Sequence, residues 1–205
     1  MQTIDDASVV AAGVALGFSA VKALGDIGIL AQPRLGLLCS RRCPGDLILQ
    51  TYDTIRSIRD AGIVVISGFH SPMEKECLDL LLRGAQPLVI CPARSIEKMR
   101  VPEGWRESIQ AGRLLVLSPF APDIRRVTKE TAQRRNQFVA TIASQLLVPH
   151  ASPGGEIEAL CREVLADGKK VYGLESKAND HLMAYGAEPF NIEQFTDRLG
   201  MGDRI

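Results

Sequence analysis

The chain has 205 residues, with 24 Lys plus Arg against 24 Asp plus Glu and an apolar fraction of 46%. That length and composition suit one globular domain with its own core and exclude a disordered chain. A balanced charge names no partner, and five cysteines are an odd number for a disulfide scaffold.

Ala7–Val21 carries no charge and is too short to span a bilayer. It follows Asp5 and Asp6, the wrong charge for a secretory leader. It is predicted as a buried helix loosened by Gly13 and Gly17. Cys39, Cys77 and Cys161 sit among apolar neighbours, and with the odd thiol count this points to a reducing, cytoplasmic setting. Leu35–Cys39, between Pro33 and Pro44, reads as a strand. Asp46 is placed to cap a helix whose Ile48, Tyr52, Ile55 and Ile58 recur at helical spacing, with Gly62 as its end. Ile63–Ile66 is an unbroken β-branched strand closed by Ser67-Gly68. Pro72 opens the next helix, with Met73, Cys77, Leu80 and Leu81 as its apolar stripe and Gly84 beyond it.

The alternation continues. Pro87–Cys91 is predicted as a strand, followed by a helical stretch running to about Gln110. Leu114–Leu117 is a strand, and residues 128–144 are helical with Phe138, Val139 and Ile142 inward. Leu146–His150 is a strand. In Glu156–Ala166 the residues Ile157, Leu160, Cys161, Val164 and Leu165 keep a strict helical stripe. Asp167-Gly168 ends it, and Lys170–Leu174 is the last predicted strand. Helical fragments are expected near residues 181–185 and 192–199. Short apolar strands alternating with amphipathic helices specify an α/β fold, a Rossmann-like parallel sheet with helices on both faces. Residues 1–205 are read as a single domain, with a helical N-terminal extension over 1–33 and a helical tail over 176–205.

Such sheets bind ligands beyond the carboxyl ends of their strands. Four loops there carry small or polar residues: Ser40-Arg41-Arg42, Ser67-Gly68-Phe69-His70, residues 119–126 and Ser152-Pro153-Gly154-Gly155. A glycine turn opening a helix offers N–H groups and the positive end of the helix dipole, which attract phosphate. Residues 34–135 also hold a net charge of +6, against −4 over 136–205. Neither a Walker A loop nor a G-x-G-x-x-G turn is present, and no Gly-x-Ser-x-Gly elbow occurs. ATP hydrolysis, ordinary NAD binding and serine hydrolysis therefore lose support, and no cofactor is expected.

The run "ALGDIGILAQPRLGLLCSR" (23–41), then "GIVVISGF" (62–69), "RRNQFVATIASQLLVPHA" (134–151) and "GGEIEALCREVLADGKKVYGLE" (154–175) occur in this order. Together they resemble the core of the DNA-processing protein A (DprA, or Smf) family. Ser40-Arg41 match its strand-end Ser-Arg, Ser67-Gly68 its Ser-Gly, and Arg135-Asn136 the start of its Arg-Asn-Arg. Cys39 stands where that family has Gly, Gln137 where it has the second Arg, and His150 where it has Glu. The resemblance implies a single-stranded DNA-binding protein that assists a recombinase, acts without catalysis and associates as a homodimer. The implied phosphate or nucleic-acid site is Ser40, Arg41, Ser67, Gly68, Arg135, Asn136, Gly154 and Gly155. Arg42, Arg125, Arg126, Lys129 and Arg134 are further basic candidates for a strand-tracking groove. Aromatic residues, at 5%, offer little for base stacking.

Two other readings stand beside this one. Pro153-Gly154-Gly155 resembles the start of the signature of the "lonely guy" phosphoribohydrolases, with Glu156 or Glu158 as the acid, and implies nucleotide phosphate as ligand. Cys39, His70, Cys91 and His150 all fall near predicted strand ends and could together suit zinc, although they lack paired ligand spacing. The apolar segment 7–21 and the tail around Phe190 and Phe195 supply surface for the expected homodimer.

Overall fold

The computed structural model describes residues 2–3 and 6–198. In chain order its elements are β1 (Gln2–Thr3), α1 (Ala7–Ala15), β2 (Lys22–Gly25), a 3-10 turn (Ile27–Ala31), β3 (Arg34–Leu37), α2 (Gly45–Asp60), β4 (Val64–Ser67), α3 (Pro72–Leu81), β5 (Leu88–Ile90) and α4 (Glu103–Gln110). They continue with β6 (Leu114–Ser118), α5 (Lys129–Ile142), β7 (Gln145–Val148), α6 (Glu156–Ala166), β8 (Val171–Gly173), a 3-10 turn (Lys177–Asn179), α7 (Asp180–Ala184), β9 (Glu188–Pro189) and α8 (Ile192–Arg198).

Among the described residues the strands form one sheet in the order β1-β2-β6-β5-β4-β3-β7-β8-β9. From β6 to β9 every pairing is parallel, while β2 runs antiparallel to β6 and β1 to β2. The order climbs from β3 to β6 on one side and from β7 to β9 on the other. The reversal lies between β3 and β7, where Gly36 pairs with Leu146 and Leu37 with Leu147. Crossover helices on either side of such a point leave a crevice at the strands' carboxyl ends.

Alternate strand residues feed two cores, because the side-chain period of a strand is two. Val64, Ile66, Leu115, Leu117, Leu146 and Val148 pack against α1, α5 and α6 through Val9, Phe138, Val139, Ile157 and Cys161. Leu35, Leu37, Val65, Leu88, Ile90 and Leu147 pack against α2, α3 and α8 through Leu47, Ile55, Ile58, Cys77, Leu81 and Phe195. The fold is thus the expected α/β sandwich with helices on both faces.

Several local expectations are corrected. The segment 7–21 is not one helix: it ends at Ala15, and Gly17 takes a φ of +74°, where glycine alone is unstrained. The chain then reverses into β2, so the first 33 residues add two strands, β1 and β2, to the sheet and are not a purely helical extension. Arg134 fixes that corner, with its guanidinium over the Phe18 ring at 4.3 Å and donating to the Leu16 carbonyl at 3.2 Å. Residues 92–102 are loop, and the helix begins only at Glu103. Pro102 restricts Val101 to extended backbone and so stops helix from running through it. Asp46 lies in the first turn of α2 rather than at its cap, which is Pro44, and it accepts a hydrogen bond from Ser176 Oγ at 2.7 Å. The tail includes β9, and Phe195 is buried against Tyr172 and Phe190 rather than offered as surface. Leu199, the expected end of the last helix, lies outside the described residues.

Candidate functional site

A cleft of about 670 Å³ opens where the chain reverses across the sheet. Its walls come from the loops after β3, β4 and β7 and from the N-terminal turns of α5 and α6. Cys39, Ser40, Arg41 and Arg42 line one side, His70, Ser71 and Glu74 the next, Lys129, Arg135 and Asn136 the third, and Ser152, Gly155, Glu156 and Ile157 the last.

Glu74 holds two of these loops together. It occupies the third position of α3 and completes a capping box with Ser71, whose hydroxyl accepts from Glu74 N. Its carboxylate, 3% exposed, accepts backbone N–H bonds from Cys39 at 2.9 Å, His70 at 2.8 Å and Ser71 at 3.2 Å. Buried charge survives only with such partners. Ser40 joins the third loop: its N–H donates to the His150 carbonyl at 2.9 Å, and its hydroxyl accepts from Ser152 N at 2.8 Å.

Arg135 forms part of the floor. Only 2% of it is exposed; its Nη1 donates to the Cys91 carbonyl at 3.2 Å and its Nε to Asn136 Oδ1 at 2.8 Å. The guanidinium lies over Gly68, in space that any side chain there would fill. Burial lowers its pKa and the Glu74 carboxylate pushes it back, but a guanidinium keeps its proton in proteins. Arg41 and Arg42, by contrast, are exposed at the mouth. Lys129, in the first turn of α5, pairs with Glu156 at the start of α6 at 2.8 Å, a bar between two helix N-termini. His70 is exposed, yet partial burial followed by the Arg135 charge lowers its pKa, with Glu74 opposing them, so it is neutral at pH 7.

The expected site residues are distributed unevenly. Ser40, Arg41, Arg135, Asn136 and Gly155 line the cleft. Ser67 does not: it is fully buried and its hydroxyl accepts from Phe69 N at 3.1 Å, closing the turn after β4. Gly68 serves as the slot for Arg135. The N–H of Gly154 is taken by the Glu158 carboxylate and that of Gly155 by the Ser152 carbonyl at 2.9 Å. Helix α6 itself has no side-chain cap, so the anion-attracting end is its first turn rather than the glycine pair before it. Arg134 lies outside the lining, engaged by the Leu16 carbonyl and the Phe18 ring, and Arg125 and Arg126 are exposed outside it.

The zinc candidates do not meet. Cys39 and His70 line the cleft, whereas Cys91 lies beneath it, where burial pushes its thiol up to about 12. His150 Nδ1 bonds Asn179 Oδ1 at 3.0 Å in the interior. Among the described residues no group of three or more His, Cys, Asp or Glu is arranged to hold a metal ion. The acids of the phosphoribohydrolase reading are also engaged. Glu158 is buried against Gly154 N with His181 Nε2 4.0 Å away, and Glu156 is paired with Lys129.

Glu74 was missed from sequence, although Ser71-Pro72-Met73-Glu74 has the spacing of a capping box. Ser152 lies in one of the strand-end loops marked from sequence and does line the cleft, whereas nothing local marks Ile157 as a lining residue.

Residues 19–200 match the family model for DNA recombination-mediator protein A. Among solved structures, the chain is similar to DNA processing protein A of Streptococcus pneumoniae at 17% identity, TM-score 0.71, covering 87% of this chain and 65% of that one. It thus spans just under two thirds of that protein's length. DNA processing protein A of Helicobacter pylori, for which a single-stranded DNA binding mode is described, matches at 19% identity and TM-score 0.76, covering 97% of this chain and 94% of that one. The molybdenum cofactor carrier protein of Chlamydomonas reinhardtii shares the fold more loosely, at 10% identity and TM-score 0.53, covering 82% and 98%. No curated protein sequence matches the chain. No described helix is long and apolar enough to cross a membrane.

Proposed function

Because the chain belongs to the DNA recombination-mediator protein A family, we propose that it binds single-stranded DNA in the cleft at its β3–β7 reversal, without chemistry of its own, in DNA uptake, processing or recombination. The observation that carries this reading is the convergence of Arg41, Arg42 and Lys129 with the uncapped first turn of α6 around one recess. Guanidinium forks and a helix N-terminus both favour phosphate oxygens. A single strand can bend its backbone into such a recess, which a stiff duplex cannot. Fluorescence anisotropy with a labelled oligothymidylate and its duplex counterpart tests the preference. Binding should be tighter for the single strand and should weaken with salt as phosphates release counterions.

The partners of this reading are a recombinase and a second copy of the chain. Helix α1 leaves Val14 65% exposed and Val10 37% exposed, apolar surface that a homodimer would cover. Light scattering at micromolar concentration measures it.

One observation favours a second reading. The cleft volume lies within the roughly 300–1,000 Å³ of small-ligand pockets, so a single nucleotide could be held by its phosphate at the same place. Calorimetry with nucleoside monophosphates distinguishes the two, and any turnover of them would overturn the non-catalytic role.

A further inference from the structure

Three side chains after β8, those of Ser176, Asn179 and His181, lie outside the cleft's lining yet hold two of the loops that form it. Asn179 is fully buried at the end of the 3-10 turn. Its Nδ2 donates to the Pro149 carbonyl at 2.8 Å and to the Leu174 carbonyl at 2.9 Å, which ties the carboxyl end of β7 to that of β8. Its Oδ1 lies 3.0 Å from His150 Nδ1. His181 Nε2 lies 2.9 Å from the Ala151 carbonyl. The His150 carbonyl, between these two, accepts from Ser40 N at 2.9 Å. Three successive carbonyls, at 149, 150 and 151, are thus taken by three different residues, and Ser40 is fastened to the same row. The far end of the arginine loop is held as well: Asp46, in the first turn of α2, accepts from Ser176 Oγ at 2.7 Å. Residues 41–45, with Arg41 and Arg42, run between these two anchors.

We propose that Ser176, Asn179 and His181 are positioning residues of the cleft, a clamp that sets both ends of the span carrying Arg41 and Arg42. An amide with both donors and its acceptor engaged has one orientation, since reversing it would set Oδ1 against two carbonyl oxygens. That orientation decides the neighbouring ring. Asn179 Oδ1 can only accept, so His150 carries a proton on Nδ1. The Ala151 carbonyl also only accepts, so His181 carries a proton on Nε2. In their neutral forms the two histidines are therefore opposite tautomers. This is a signature of the clamp that a mere loss of stability does not imitate. The clamp stands on these bonds alone, whereas its effect on binding rests on the proposed function.

Nitrogen-15 NMR of the full chain at alkaline pH reads the clamp directly, because the chain has only three histidines. His150 should show its proton on Nδ1 and His181 on Nε2. A neutral His150 protonated on Nε2 overturns the clamp. Asn179→Ala should release the His150 tautomer and shift the Ser40 and Ser152 amide resonances, and unmoved resonances would count against it. Anisotropy with a labelled oligothymidylate reads the consequence in two milder variants. Ser176→Ala and His181→Leu should each bind about threefold or more weakly. Ser176→Thr and His181→Gln, which keep a donor at each place, should restore wild-type affinity. In an Arg41→Ala/Arg42→Ala background Ser176→Ala should cost nothing further, because it acts through those arginines. An additive loss there, or full affinity in both Ser176→Ala and His181→Leu, overturns the positioning role. Wild-type protein that binds no DNA overturns the functional reading, while the tautomers and the Ser40 and Ser152 shifts still decide the clamp.

Discussion

The Arg135 guanidinium and Gly68 share one space: a Cβ built on Gly68 would lie 1.3 Å from Arg135 Nη1. The glycine is required there by its neighbour's charge group and not by its own backbone angles. Gly68→Ala should expel Arg135 from the floor, break its bond to the Cys91 carbonyl and leave Glu74 without its nearby cation. Breaking a buried charge arrangement costs about 3 kcal/mol or more, which in a chain of this size lowers Tm by roughly 6–12 °C. Differential scanning calorimetry measures this. Gly68→Ala combined with Arg135→Ala should be little worse than Arg135→Ala alone, because the overlap is then gone. Additive losses would show that Gly68 acts otherwise.

Glu74 is expected to be the residue on which the cleft's assembly depends most. Glu74→Ala leaves the N–H groups of Cys39, His70 and Ser71 without their acceptor. Each unsatisfied buried donor costs about 1–3 kcal/mol, so the variant should lose at least ~3 kcal/mol in urea unfolding, and amide exchange should rise first in the loops after β3 and β4. Unchanged exchange at Cys39 and His70 would contradict the three-bond role.

Binding should tighten as pH falls. His70 has a lowered pKa because partial burial and then Arg135 disfavour its charged form. The free protein therefore holds it neutral at pH 7 and protonates it only below its ordinary range of ~6.5. A bound phosphate stabilises the imidazolium and raises that pKa, so binding takes up a proton and strengthens as pH drops through the shifted window. Between pH 7.5 and 5.5 single-strand affinity should rise roughly 3–10-fold. His70→Gln should flatten this dependence. A gain that persists in the variant would assign the effect elsewhere.

The Lys129–Glu156 pair sets an internal carboxylate where a phosphate would sit, at the start of α6. Glu156→Gln frees Lys129 and removes a competing negative charge. Single-strand affinity should rise a few-fold at low salt and converge on wild type as screening increases. Weaker binding at low salt would mean that Glu156 is needed in the site.

Much of the fold was legible because it rests on local pattern. Glu156–Ala166 is helical over the residues its apolar stripe marks, and the β-branched run at 63–66 sits within one residue of β4. Lys22–Gly25 was not legible as a strand, because its pairing with β6 is antiparallel and its four residues carry no alternation. In the site, Ser40, Arg41, Arg135, Asn136 and Gly155 could be named from motif and loop position. That Ser67 turns inward and Gly154 spends its N–H on Glu158 could not, since each depends on a partner fixed only by packing. Glu74 was concealed for the same reason: its capping motif is local, but its bond to Cys39 spans 35 residues.

The most direct measurement is the single-strand affinity of wild type, Arg41→Ala and Arg42→Ala as a function of salt. Each variant should lose about fivefold (~1 kcal/mol), in the range of a charge-assisted contact. The salt slope should shrink by roughly 0.7 for each phosphate contact removed. Wild-type protein that binds oligothymidylate no better than duplex at low salt, or variants with unaltered affinity and slope, would contradict a single-strand site in this cleft.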